Sequence, residues 1–213
     1  ASFDFTKVLW WAWGAIALLL VARRVWAEVS ARRIIARGRR PTPALAERCL
    51  GVARAHGMED VTIVITDEAA CPAVAGLVHR AIILPANAEE WADAQVSAIL
   101  AHELAHVERR DCFVNLLGDL AAAIYWCNPL AHYAARRIRA EAERACDDAV
   151  VRASADADAY ALMLLDITRA SQKARPLPRA ATAMARPSEL ESRVVALLHN
   201  RAPRSPMGRM LTL

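Results

Sequence analysis

The sequence contains no Cys-x-x-Cys pair. Its five cysteines, Cys49, Cys71, Cys112, Cys127 and Cys146, are odd in number and lack metal-ligand spacing. They read as isolated thiols of a reducing compartment, not as a zinc cage. Aromatic residues are scarce, at 6%, and four of the six Trp fall within the first 26 residues. Seven Arg lie between Arg23 and Arg40 against a single acid, Glu28, and Trp26 is their only aromatic companion. That stretch therefore lacks the stacking platform of a nucleic-acid site, and no direct nucleic-acid partner is expected. No internal repeat is present.

What is present is apolar and rich in Ala. The chain has 213 residues and is 56% hydrophobic, enough for one buried domain and an additional element. Val8 to Ala22 carries no charge, with Trp10, Trp11 and Trp13 at one end and Arg23 and Arg24 at the other. Fifteen residues are few for a bilayer crossing, but Phe3, Phe5 and a snorkelling Lys7 extend the run. Trp at one edge and Arg at the other fit interface anchors, so a transmembrane helix in a lipid bilayer is expected. The positive charge follows the apolar run, unlike a cleaved signal peptide. It also places the following residues on the cytoplasmic side.

Beyond this, Thr42 and Pro43 open a helix to about His56, which Gly57 ends. Val61–Thr66 and Ala81–Leu84 read as strands, and the turn-rich connector between them predicts an antiparallel pair. Asp93 is the expected cap of a helix over 94–109. Phe113–Trp126 suits a helix that is buried or partly sunk in the membrane. Asn128-Pro129 turns the chain into a helix reaching about Val151. Further helices are expected over 158–172 and 188–199, separated by a basic, acid-free, Pro-bearing loop over 173–187.

The chemistry sits in His102-Glu103-Leu104-Ala105-His106, an HExxH sequence. Two imidazoles four residues apart on a helix share a face and can reach one metal ion, here Zn2+. Glu103 projects beside them as general base towards a water that zinc acidifies. The competing reading is a helix with two satisfied histidines. A catalytic zinc needs a third protein ligand and an open position. Glu143 and Asp147, four apart on another helix, supply a ligand and an acceptor for the outer nitrogen of a ligand histidine. Cys146 is a softer rival ligand. Glu141 reads instead as a partner of the neighbouring arginines. His56, His79, His132 and His199 have no paired partner and read as structural or exposed. Arg136, His132 and Tyr160 are equal candidates for polarising a scissile carbonyl.

These residues resemble the BlaR/MecR family of bacterial membrane metallopeptidases, the antirepressor type. The likeness runs through Cys71-Pro72-Ala73-Val74-Ala75-Gly76, Ala81-Ile82-Ile83-Leu84-Pro85, Ile99 to Asp111, Asn128-Pro129-Leu130 and Glu143-Arg144-Ala145-Cys146-Asp147-Asp148. It covers about residues 60–200. It implies a gluzincin-like core with Glu143 as third ligand and Asp147 behind it. It also implies a catalytic face on the cytoplasmic side of the bacterial inner membrane. The substrate would be a protein or peptide, including the chain itself or a transcriptional repressor, with the 173–187 loop as a candidate cut site. A homo-oligomer is compatible with this.

Two positions depart from the family pattern: His132 stands where an aromatic residue is expected, and Arg144 replaces an apolar one. No Ser-x-x-Lys motif of a penicillin-binding sensor occurs, so beta-lactam sensing is not carried over. The rivals are a housekeeping membrane protease of the HtpX or CAAX-processing kind and a non-catalytic signalling scaffold with structural zinc.

The fold expected is α+β and mostly helical: a zincin-like metallopeptidase core with a small β-sheet, preceded by a transmembrane helix. The divisions are a membrane helix over 1–26, a basic juxtamembrane and helical linker over 27–60, the peptidase domain over 61–200, and a lead over 201–213 into a further membrane segment.

Overall fold

In a computed structural model, described over residues 4–154 and 157–171 together with Thr182, Ala183, Arg193, Val195 and Leu197, helices predominate around a small sheet. The first helix, α1 (Phe5–Arg37), does not stop where the apolar run ends. It continues through the arginines, because Arg is a good helix former and charge alone does not break a helix. At 33 residues it is about 50 Å long by the 1.5 Å rise, and it alone among the described helices is long and apolar enough to cross a membrane. Its apolar half, including Trp10, Trp11, Leu18 and Leu19, is exposed, whereas Ala31 and Ile34 at the other end are buried.

Helix α2 (Pro43–Ala55) begins at Thr42, whose hydroxyl accepts from the Leu45 amide, and ends before Gly57 at φ +68°. The strands are β1 (Thr62–Thr66), β2 (Ala73–Ala75), β3 (Ala81–Pro85) and the two-residue β4 (Thr182–Ala183), in the order β1-β3-β2-β4. The expected antiparallel pairing of Val61–Thr66 with Ala81–Leu84 is corrected here. β1 and β3 are parallel, in register from Thr62 opposite Ala81 to Thr66 opposite Pro85. The connector is not only turn: it contains β2, which pairs antiparallel with β3 and reverses the chain once more. Two reversals restore the original direction.

The turn from β2 to β3 depends on Gly76, at φ +95°, where an added Cβ would lie 2.2 Å from the His79 carbonyl oxygen. Gly76→Ala is expected to destabilise the fold by at least about 1–3 kcal/mol for the backbone conformation alone. A clear fall in thermal midpoint checks this.

Both faces of the sheet are covered, which explains the nearly continuous apolar strands. On one face Ile65, Ile82 and Leu84 meet Leu45 and Cys49 of α2 and Leu100 and Leu104 of α3 (Asp93–Arg109). On the other, Val64 and Ile83 meet Ala31 and Ile34 of α1. After α1 the chain hugs β1, with Arg39 and Ile65 exchanging backbone hydrogen bonds of 2.9 and 2.8 Å.

Asp93 is not the cap of α3. It is the first helical residue and pairs with Arg48 at 2.6 Å, while the Gln95 side chain accepts from the Ala92 amide. Next come α4 (Asp111–Ile124), α5 (Pro129–Ser154) and α6 (Ala157–Ser171). The Asn128 side chain accepts from the Leu130 amide at the start of α5. The 173–187 segment, expected as a loop, contributes β4, paired antiparallel with β2 through Ala73 opposite Ala183. The remainder of that segment and residues 201–213 lie outside the described residues. Of the helix expected over 188–199, Arg193, Val195 and Leu197 are described and helical.

Candidate metal centre

Helix α3 presents His102, Glu103 and His106, all buried. Helix α5 packs against α3 and brings Glu143 to the same point. Glu143 Oε2 lies 3.6 Å from His102 Nε2, and its Oε1 lies 3.5 Å from His106 Nε2. One ligand atom from each of the three falls within 4.8 Å of the others. These separations are too long for hydrogen bonds and suit atoms that would share an ion.

Both histidine Nε2 atoms and both Glu103 oxygens are buried with no hydrogen-bond partner among the described residues. Burying polar atoms unpaired is costly, so a donor set left facing itself fits a metal ion. His and Glu are borderline and hard ligands, and both kinds suit zinc.

The outer nitrogens are each held. His106 Nδ1–H donates to Asp111 Oδ2 at 2.8 Å. His102 Nδ1–H donates to the Tyr160 hydroxyl at 2.9 Å, which donates to Asp147 Oδ1 at 2.8 Å. These acceptors hold each Nδ1 proton, so Nε2 is the nitrogen that an incoming ion would claim on both rings. Arg193 closes the back of the site: its Nε and Nη2 donate to Asp147 at 2.7 and 2.6 Å, and Nη1 lies 3.0 Å from Glu143 Oε2.

Charge follows from this packing. Burial alone would lower His102, but the Asp147 and Glu143 carboxylates beside it outweigh burial and raise the pKa to about 9. Burial raises Glu103 to about 7, although the two imidazoles oppose it. Burial would also raise Asp147, yet the neighbouring His102 imidazole and the hydrogen bonds from Arg193 hold it well below the usual carboxylate range.

The sequence-based candidates thus separate. His102, Glu103, His106 and Glu143 converge, and Asp147 lies one layer behind His102. Cys146 does not join the Nε2 atoms: its Sγ lies 3.4 Å from His106 Nδ1, on the Asp111 side, and burial pushes its thiol far up. Tyr160 faces His102 and Asp147, not open space. His132 Nε2 is spent on the Trp126 carbonyl, 2.8 Å away, and Arg136 is exposed. Glu141 pairs with Arg137 at 3.0 Å and Arg144 at 3.1 Å. None of the five cysteines is in a disulfide; Cys49, Cys71, Cys112 and Cys146 are buried, while Cys127 is exposed.

Asp111 and Arg193 were not singled out from the sequence. Asp111 follows Arg110, whose left-handed φ of +57° folds α4 back under His106. A signal was available, since Asp111 stands five residues past His106, but a non-glycine residue in that conformation is hard to foresee.

Comparison with known proteins identifies the family. A profile of the BlaR1 peptidase M56 family matches residues 1–197. The regulatory protein BlaR1 of Bacillus licheniformis is 33% identical over 81 residues, 38% of this chain and 14% of that protein. The methicillin resistance mecR1 proteins of Staphylococcus aureus and Staphylococcus epidermidis are 31% identical over 93 residues, 43% of this chain and 16% of theirs. The matched region is thus about a sixth or less of those relatives. A metallopeptidase scaffold, a metal-type donor set and a membrane-type helix occur together in one chain, and the profile spans nearly all of it: the protein belongs to the BlaR1 peptidase M56 family.

Proposed function

We propose that this chain is a zinc endopeptidase of the bacterial cytoplasmic membrane, with its catalytic face on the cytoplasmic side, acting in regulation by cutting itself or a signalling protein such as a repressor. The observation that carries the reading is the convergence of two buried, unpartnered imidazole nitrogens and an unpartnered Glu103 carboxylate beside Glu143. His102, His106 and Glu143 would hold zinc, which as a Lewis acid polarises a carbonyl and acidifies a water. Glu103 takes the proton from the attacking water and returns it to the leaving amine. Asp111, Tyr160 and Asp147 keep both imidazoles in the ligating tautomer. Arg193 holds Glu143 and Asp147 in place and balances their charge. The arginines that follow the apolar run of α1 support the assigned side.

Self-cleavage is the specific form favoured. Thr182–Ala183, within the basic 173–187 segment, adds as a strand to the edge of β2, which packs against α3. Strand addition to a sheet edge is a recurring way of holding an extended peptide through main-chain hydrogen bonds. The test is zinc content and mass-spectrometric mapping of the vesicle-bound chain. About one zinc per chain is expected, lost in His106→Ala and Glu143→Ala, together with a cut within 173–187 that both variants abolish. Zinc retained by both variants would overturn the ligand set. A parent chain that holds zinc and never cuts would favour a signalling scaffold. Cuts scattered over unrelated membrane proteins would favour a housekeeping protease.

A further inference from the structure

Helices α1 and α4 leave the sheet side by side. At one end, Ala31 and Ile34 of α1 pack on Ala73 and Ile83. At the same end, the Cys112 thiol at the start of α4 donates to the Val74 carbonyl at 3.6 Å. Seven residues further from the sheet on each helix, Arg24 Nε meets Asp119 Oδ2 at 3.2 Å. The two helices therefore run antiparallel and in step. Arg139 of α5 also pairs with Asp119, so the three helices share one charged level. Glu28 adds a carboxylate 3.5 Å from Arg24.

Past that level, away from the sheet, formal charge disappears. On α1 none occurs between Arg23 and Lys7. On the α4–α5 hairpin none occurs from Leu120 through Ala135, and Arg136, Arg137 and Arg139 follow at once. The hairpin is close-packed within itself, with Gly118 against Ala135. Its outer surface is apolar and open: Ile124, Tyr125, Leu130 and Tyr133 are 43%, 59%, 67% and 62% exposed. Two polar groups of its turn are satisfied within the hairpin: His132 Nε2 lies 2.8 Å from the Trp126 carbonyl, and the Asn128 side chain accepts from the Leu130 amide.

We propose that residues 120–135 form a re-entrant hairpin that enters the lipid bilayer beside α1, with Arg24, Asp119 and Arg139 marking the membrane surface. Continuity with the apolar face of α1 and the fringe of arginines select a bilayer as the occupant. From Asp119 to Ile124 the helix rises about 8 Å, the depth of the boundary between headgroups and acyl chains. A 14-residue helix, about 21 Å long, is too short to cross, so it must turn back, and Asn128-Pro129 turns it. The Tyr125, Trp126 and Tyr133 rings suit that boundary.

The inference rests on α1 being in the membrane, so the test reads both. A nitroxide on Cys127, exposed in the turn, is placed in the full chain in phosphatidylethanolamine and phosphatidylglycerol vesicles. Leu19→Cys on α1 and Glu47→Cys on α2, each in a Cys127→Ser background, serve as lipid and water references. Relaxation by oxygen is expected to exceed relaxation by a water-soluble nickel chelate several-fold at Cys127 and Leu19→Cys, and the order to reverse at Glu47→Cys. Chelate dominance at Cys127 with oxygen dominance at Leu19→Cys would overturn the hairpin and leave α1 in the bilayer. Chelate dominance at both would overturn the membrane reading itself. Low access to both agents at Cys127 would mean that protein, for instance a second copy, covers the hairpin, and would also overturn the proposal.

Discussion

Glu103→Gln is expected to lower the rate of peptide cleavage by about a thousandfold or more while leaving the metal in place. General-base transfer by a positioned side chain contributes roughly 10²–10⁴-fold. Glutamine preserves the shape of the buried side chain but cannot take a proton. Neither the His102 nor the His106 outer hydrogen bond touches residue 103, so ligand orientation survives. The variant should also unfold no more easily than the parent, because a buried carboxylate without a partner is replaced by a neutral amide. Metal analysis, thermal melting and a cleavage time course on one preparation check the three parts together. Cleavage within tenfold of the parent, with metal bound, would remove Glu103 from the mechanism and leave a site that activates water by another group.

The second large effect is the dependence of metal affinity on pH. In the metal-free protein His102 carries its proton up to about pH 9. An incoming cation must displace that proton, so binding near neutrality releases at least one proton, and affinity rises about tenfold per pH unit as long as His102 is protonated. Between pH 6 and pH 8 an increase of about a hundredfold is expected. The same shift acts on folding. The folded pKa lies above the unfolded value of about 6.5. The stabilisation is therefore fully present below about pH 6.5 and is lost as pH rises through 9. The metal-free chain should accordingly lose stability on the alkaline side, where metal binding is strongest. Calorimetry in buffers of different ionisation enthalpy counts the protons directly. An affinity flat across this range would mean that His102 is already neutral, and that Asp147 and Glu143 do not hold its proton as their positions suggest.

How far the sequence could be read depended on the range of the interaction. His102, Glu103 and His106 lie within one helical turn, so their convergence follows from local periodicity. Glu143 and Asp147 were recognisable as a pair on one face, and only their approach to α3 required tertiary structure. The parallel β1–β3 pairing was not legible, because Ala73–Ala75 is made of small residues and sits in a stretch that resembles a turn. Its burial, not its intrinsic preference, makes it a strand. The full extent of α1 is not legible from charge, because its arginines bound the apolar run but not the helix. Asp111 depends on a left-handed Arg110. Arg193 lies 46 residues beyond Asp147, a separation that no local pattern spans.

That separation has a thermodynamic consequence. The proposed cut segment, 173–187, stands between Arg193 and the carboxylates it holds. While the chain is continuous, Arg193 is supplied to Asp147 and Glu143 as an intramolecular partner, at an effective concentration set by the chain that joins them. After a cut, the same contacts must hold two separate molecules together, and translational entropy opposes them. Occupancy of that corner would then depend on dilution, as binding does and folding does not. A single hydrolysed bond would convert an intramolecular constant into a dissociation constant.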